Sequence, residues 1–122
     1  MHENDLFLNE WQDAGTATLA EQFGLNPDLF SEIEVLLASY SRDAYCGEAF
    51  VLFRQGSTLF EINASHDSTD GMEEQWEPEE TLVAALRYRL EKGRLGSGRE
   101  GVNLFADELG FLLAELEADG FR

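Results

Sequence analysis

Basic residues are scarce in this chain. Eight Lys and Arg stand against 25 Asp and Glu, a formal charge of −17, and none of the eight precedes Arg42. Such a balance opposes nonspecific attraction to nucleic acid or to an anionic membrane, and it steers the protein towards basic surfaces. Cysteine is rarer still: Cys46 stands alone, which excludes an intramolecular disulfide framework and fits a reducing cytoplasm. No apolar run is long enough to span a bilayer, and Met1–Leu8 carries acid where a secretory leader carries base. The expected location is therefore the cytoplasm. P-loops, Ser-His-Asp arrangements, internal repeats and low-complexity segments are missing as well, so neither an enzyme nor a cofactor is expected.

What is present is apolar. Hydrophobic residues make up 43% of the 122 and nine are Phe, which opposes disorder and supports one folded domain over 1–122. The clearest local signal is a β-hairpin within 48–64. Runs Ala49–Arg54 and Thr58–Asn63 are rich in β-branched and aromatic residues and meet at Gln55-Gly56-Ser57, with a glycine where the chain reverses. Alternation sets Ala49, Val51 and Phe53 on one face and Phe50 and Leu52 on the other, so the first strand needs cover on both sides. Phe60 and Ile62 share one face of the second strand, opposite Leu59, Glu61 and Asn63.

The remainder reads as helices, giving an α+β fold. The expectation is a hairpin, or a three-stranded antiparallel sheet, packed by four to five helices. Residues 1–41 read as acidic N-terminal helices: a short one over Asp5–Trp11 anchored by Leu6, Phe7 and Trp11, a second over Thr16–Phe23 stopped by Gly24, and a third opened by Asn26-Pro27. Leu29, Phe30, Ile33, Leu36 and Leu37 give that third segment helical spacing. Ser39–Gly47 reads as a polar connection, with Cys46 as a small half-buried residue rather than a nucleophile, Arg42 being its one basic neighbour. Within 78–119 two helices are joined by a Gly-rich loop. Pro78 opens the first, with Leu82, Val83, Leu86 and Leu90 buried, and it runs to about Lys92. Asn103 caps the second, with Phe105, Leu109, Leu112, Leu113 and Leu116 inward and Gly110 weakening its middle.

Two short motifs fail on context. Leu19–Leu25 followed by Ile33 has the spacing of a helix-turn-helix, but its second helix would carry Asp28, Glu32 and Glu34 and repel phosphates. Gly96, Gly98 and Gly101 spell a dinucleotide fingerprint, yet they follow a helix rather than a strand.

Residues 65–80 form an acidic loop holding Asp67, Asp70, Glu73, Glu74, Glu77, Glu79 and Glu80 with no Lys or Arg, and Trp76 as its core anchor. His66, Asp67 and Asp70, with Glu73, offer one nitrogen and several oxygens to a divalent cation, although the spacing matches neither an EF-hand loop nor a zinc signature. A metal-dependent binding module is the reading those residues support, against the plainer one of solvated acids capping turns.

The matching residues Tyr45, Gly47, Ala49, Phe50, Val51, Leu52, Phe53, Ser65, His66, Ser68, Gln75, Trp76, Pro78, Glu79 and Thr81 give this third of the chain a resemblance to a family of short phage and prophage-type proteins. That family has an Ala-Phe-Val-Leu-Phe strand, a Ser-His segment and a Gln-Trp-x-Pro-Glu-x-Thr motif, and no assigned activity. Ala64, Asp67 and Thr69 depart from it, standing where it has a glycine and two cysteines. The resemblance thus implies a phage-type protein and carries no thiol chemistry to this chain.

Seventeen net charges equal roughly 30 Å of duplex DNA at one charge per about 1.7 Å. With the phage-type resemblance, this sets the leading expectation: an inhibitor of a host nucleic-acid-binding defence protein, acting as an anti-CRISPR or DNA mimic on a Cas effector or a restriction enzyme. It would occupy the basic surface with Asp67, Asp70, Glu73, Glu74, Glu77, Glu79 and Glu80, joined by Asp28, Glu32 and Glu34. The other reading is a phage structural or assembly protein that forms a homodimer or larger oligomer through Phe7, Trp11 and the last helix.

Overall fold

A computed structural model describes residues 6–9, 11, 15–43, 46–66, 75–96 and 105–121. The chain divides into two compact units, Met1–Glu80 and Thr81–Arg122.

The first unit is built on β-structure. Five strands, β1 (Leu6–Asn9), β2 (Glu34–Asp43), β3 (Cys46–Gln55), β4 (Thr58–His66) and β5 (Glu79–Thr81), lie side by side in chain order. The sheet is mixed: β1 runs parallel to β2, while β2 with β3 and β3 with β4 are antiparallel. The expected β3–β4 hairpin is present with longer strands. Gln55 pairs with Thr58 across Gly56-Ser57, and Gly56 adopts φ 64°, a conformation that favours glycine.

The sheet is larger than a three-stranded one and the helices are fewer than four, which corrects the expected architecture. Among the described residues there are three α-helices and one 3-10 turn. Two N-terminal segments read as helices are strands. Leu6–Asn9 pairs with Leu37–Tyr40 instead of forming a helix, and Glu34–Asp43 replaces both the end of the third helix and the start of the polar connection. Only Pro27–Ser31 is helical there, as a 3-10 turn whose Asp28 N–H donates to the Asn26 side chain at 2.9 Å. The physical reason lies in the run Ile33 to Ala38. Its apolar residues satisfy helical spacing, but a run buried on both faces of a sheet carries the same letters. Pairing slips between Val35 and Leu37, so Leu36 is an extra residue in the ladder. That slip puts Val35 and Ala38 into one core cluster. After α1 (Thr16–Phe23) come a 3-10 turn and then strand β2 instead of a recognition helix, so the helix-turn-helix spacing has no structural counterpart.

Helix α1 has the expected bounds. Leu19, Ala20 and Phe23 are buried, and Gly24 turns left-handed at φ 68°. The Leu25 N–H then reaches the Ala20 carbonyl at 2.8 Å, closing the last turn, and Leu25 packs on the core. One face of the sheet supplies Val35, Ala38, Ala49, Val51, Phe53, Ile62 and Ala64 to the cluster that Leu19, Phe23 and Trp11 complete. On the other face Leu37, Phe50, Leu52 and Leu59 are buried too, so β3 is enclosed on both sides, as its apolar run requires. Glu61 lies among them at 6% exposure and accepts a hydrogen bond from the Asn63 amide at 2.9 Å.

The second unit holds α2 (Val83–Glu91) and α3 (Ala106–Ala118). Helix α2 starts later than Pro78 suggests, because Glu79–Thr81 is extended and Leu82 is the N-cap; Val83 and Leu86 are buried, but Leu82 is exposed. Helix α3 buries Leu109, Leu112, Leu113 and Leu116 as its spacing implies, and Phe105 is its N-cap; Asn103 lies outside the described residues. Gly96, with φ 80°, passes so close to α3 that a Cβ would sit 2.8 Å from the Ala106 backbone. Its carbonyl accepts the N–H groups of Phe105 and Ala106 at 3.0 and 3.2 Å, satisfying donors that a helix start leaves unpaired. The first glycine of the apparent dinucleotide fingerprint is therefore a packing residue; Gly98 and Gly101 lie outside the described residues.

Candidate functional site

The acids proposed to meet a partner fall in two stretches of the first unit, and an aromatic contact brings the described parts of those stretches together. Trp76 stacks on Phe53 with ring centroids 5.7 Å apart and planes at 8°, and it meets Phe30 edge-on at 5.7 Å and Phe23 at 5.2 Å. Phe53 stacks in turn on Phe60 at 5.3 Å. Phe30 sits in the 3-10 turn between Asp28 and Glu32, and Trp76 immediately precedes Glu77. Asp28, Glu32 and Glu77 are all exposed around this half-buried aromatic contact.

Glu34 is different. It is half-buried and pairs with Arg54 at 3.5 Å, its cross-strand partner, so part of its charge is answered within the fold. Glu79 and Glu80 are exposed on the short strand β5, where Thr81 turns inward. Asp67, Asp70, Glu73 and Glu74 lie outside the described residues, as do the side chain of His66 and that of Cys46. Among the described residues no three metal-ligating side chains converge.

A residue that sequence reasoning passed over fixes this region. The Gln75 side chain holds both backbone groups of Ser65: its Oε1 accepts the Ser65 N–H at 3.0 Å and its Nε2 donates to the Ser65 carbonyl at 2.8 Å. The amide thus serves β4 as a neighbouring strand would, and it ties together two positions ten residues apart. Trp76, expected as the anchor of the acidic loop, takes that role beside it. The Gln-Trp pair of the sequence motif is therefore a clamp followed by an anchor. The signal was the pairing of an amide with a large aromatic at the end of an acidic run, but nothing in the sequence names Ser65 as its target.

The distribution of charge between the two units is the second feature. Met1–Glu80 contains 2 basic and 18 acidic residues, a net −16, whereas Thr81–Arg122 contains 6 and 7, a net −1. The last helix, read as a further acidic zone, belongs to a nearly neutral unit in which Arg87 bonds Glu117 at 2.7 Å. What the first unit offers chemically is a strong negative charge, with carboxylates as acceptors for Arg and Lys.

No family model matches the chain, and no curated protein and no solved structure matches it.

Proposed function

We propose that the protein is a phage-type inhibitor that uses its first unit to occupy the basic, nucleic-acid-binding surface of a host defence protein, such as a Cas effector or a restriction enzyme. The observation that carries this reading is the segregation of charge: 16 of the 17 net negative charges belong to Met1–Glu80. At one charge per about 1.7 Å, sixteen charges correspond to roughly 27 Å of duplex, about three-quarters of a helical turn. The phage-type resemblance of the stretch from the β3 strand to Thr81 supports the same reading. Exposed Asp28, Glu32, Glu77, Glu79 and Glu80 are the contacts available among the described residues, with Asp67, Asp70, Glu73 and Glu74 as further contacts from sequence.

The test is capture from a bacterial lysate that contains Cas effectors and restriction enzymes. Bound protein is challenged with duplex DNA and, separately, with rising salt. A nucleic-acid-binding protein that duplex DNA displaces is the expected recovery. A partner that DNA leaves in place contradicts the proposal.

A further inference from the structure

We infer that the second unit is a self-association surface, on which α2 of one copy packs against α3 of a second copy about a twofold axis. Among the described residues the large apolar side chains left exposed are Leu82 at 53%, Tyr88 at 58% and Phe111 at 74%, and all three lie in Thr81–Arg122. A Phe three-quarters in water on the outer face of a helix that buries four Leu on its inner face is a cost that contact with another surface removes.

The charge distribution selects the occupant. Like charge opposes approach of two copies through Met1–Glu80, each with a net −16, but Thr81–Arg122 is close to neutral at −1. Within the second unit the two helices differ in net charge: α2 and its C-cap carry Arg87, Arg89 and Lys92 against Glu91, whereas α3 carries four acids and no base. Tyr88 on α2 is followed one turn later by Lys92, whose ammonium sits 5.5 Å from the Tyr88 ring centre. Phe111 on α3 has Asp107 one turn before it and Glu115 one turn after, both exposed. Each helix thus presents one aromatic beside charge, cationic on α2 and anionic on α3, which is what a self-complementary interface needs.

The geometry of the pair sets the alignment. Arg87 reaches Glu117, and Leu90 lies against Gly110, so α2 and α3 run antiparallel. A twofold axis along the helices then lays α2 of each copy on α3 of the other, again antiparallel. Tyr88 meets Phe111 of the second copy and Lys92 points towards its Asp107. Helices of 9 and 13 residues are roughly 14 and 20 Å long and bury an area at the small end of specific interfaces, so the dimer is reversible rather than obligate.

Sedimentation velocity on the full chain tests this over about 1 μM to 1 mM, a range that spans weak association. The expected result is a concentration-dependent monomer–dimer equilibrium. Phe111→Ser and Lys92→Glu each weaken it at least about tenfold, the loss of roughly 1.4 kcal/mol. Lys92→Glu combined with Asp107→Lys restores association relative to Lys92→Glu alone, which a mere surface effect would not do. All the substitutions are at exposed positions, and circular dichroism checks that the fold is unchanged. A monomer at every concentration overturns the inference, as does a dimer that Phe111→Ser leaves intact or a double variant that is no tighter than Lys92→Glu.

Discussion

Gln75 and Trp76 hold adjacent positions yet stabilise the first unit by different means, and their substitution should separate the two. Gln75→Ala removes two hydrogen bonds to the Ser65 backbone in a region open to water, where the freed groups regain solvent. About 1 kcal/mol is the expected loss. Trp76→Ala removes a ring stacked on Phe53 and touching Phe30 and Phe23, and leaves a gap in a half-buried cluster. Its cost should be about 2–3 kcal/mol, below the value for a fully buried aromatic. Urea unfolding of the two variants measures both numbers. Equal losses would mean that the aromatic contact adds no more than the clamp.

Among the elements, β2 separates a helical reading of the N-terminal third from the observed sheet. Ser39 would lie in a loop under the helical reading, but it is buried in β2 with Leu8 on one side and Phe50 on the other. Ser39→Pro should therefore cost about 3 kcal/mol or more, because proline deletes a ladder donor in an interior strand. A loop would tolerate it, and thermal unfolding decides. Helix α3 supplies the opposite case. A Cβ at Gly110 would meet only Leu90, at an ordinary contact distance of 3.8 Å. Gly110→Ala should raise stability by about 0.5–1 kcal/mol through helix propensity, read as a higher denaturant midpoint.

These elements also show how far the letters carry. Helix α1 was legible to the residue, because Leu19, Ala20 and Phe23 repeat helically and Gly24 ends the repeat. The β3–β4 hairpin was legible from alternation and Gly56. Strand β2 was not, since Ile33, Val35, Leu36, Leu37 and Ala38 suit either a helix face or a strand covered on both sides, and only long-range pairing decides. Strand β1 is four residues long and owes its conformation to a parallel neighbour just over thirty positions away, which no local pattern encodes. Of the candidate site, the anchoring role of Trp76 was legible; the Gln75 clamp and the Glu34–Arg54 pair were not, because both depend on which strands become neighbours. Phe7 and Trp11, expected as oligomer contacts, pack on the core instead: Trp11 is 3% exposed and lies 5.4 Å from the Tyr40 ring.

At the scale of the whole molecule, charge and exposed apolar surface are assigned to different units, with −16 on Met1–Glu80 and the exposed Leu82, Tyr88 and Phe111 on Thr81–Arg122. The first suits a basic partner and the second a copy of the chain itself. The most direct measurement is the salt dependence of affinity for the captured nucleic-acid-binding partner, compared between the native chain and two neutralised variants. One carries Glu77→Gln, Glu79→Gln and Glu80→Gln in the run that ends the first unit and crosses no core residue. The other carries Glu100→Gln and Asp119→Asn in the second. The account predicts that the first variant binds at least about tenfold more weakly and with a flatter slope of log affinity against log salt, as lost ion pairs require. The second should match the native chain. Equal weakening by the two variants, or no change in either, would contradict the claim that the first unit meets a nucleic-acid-binding surface through its charge.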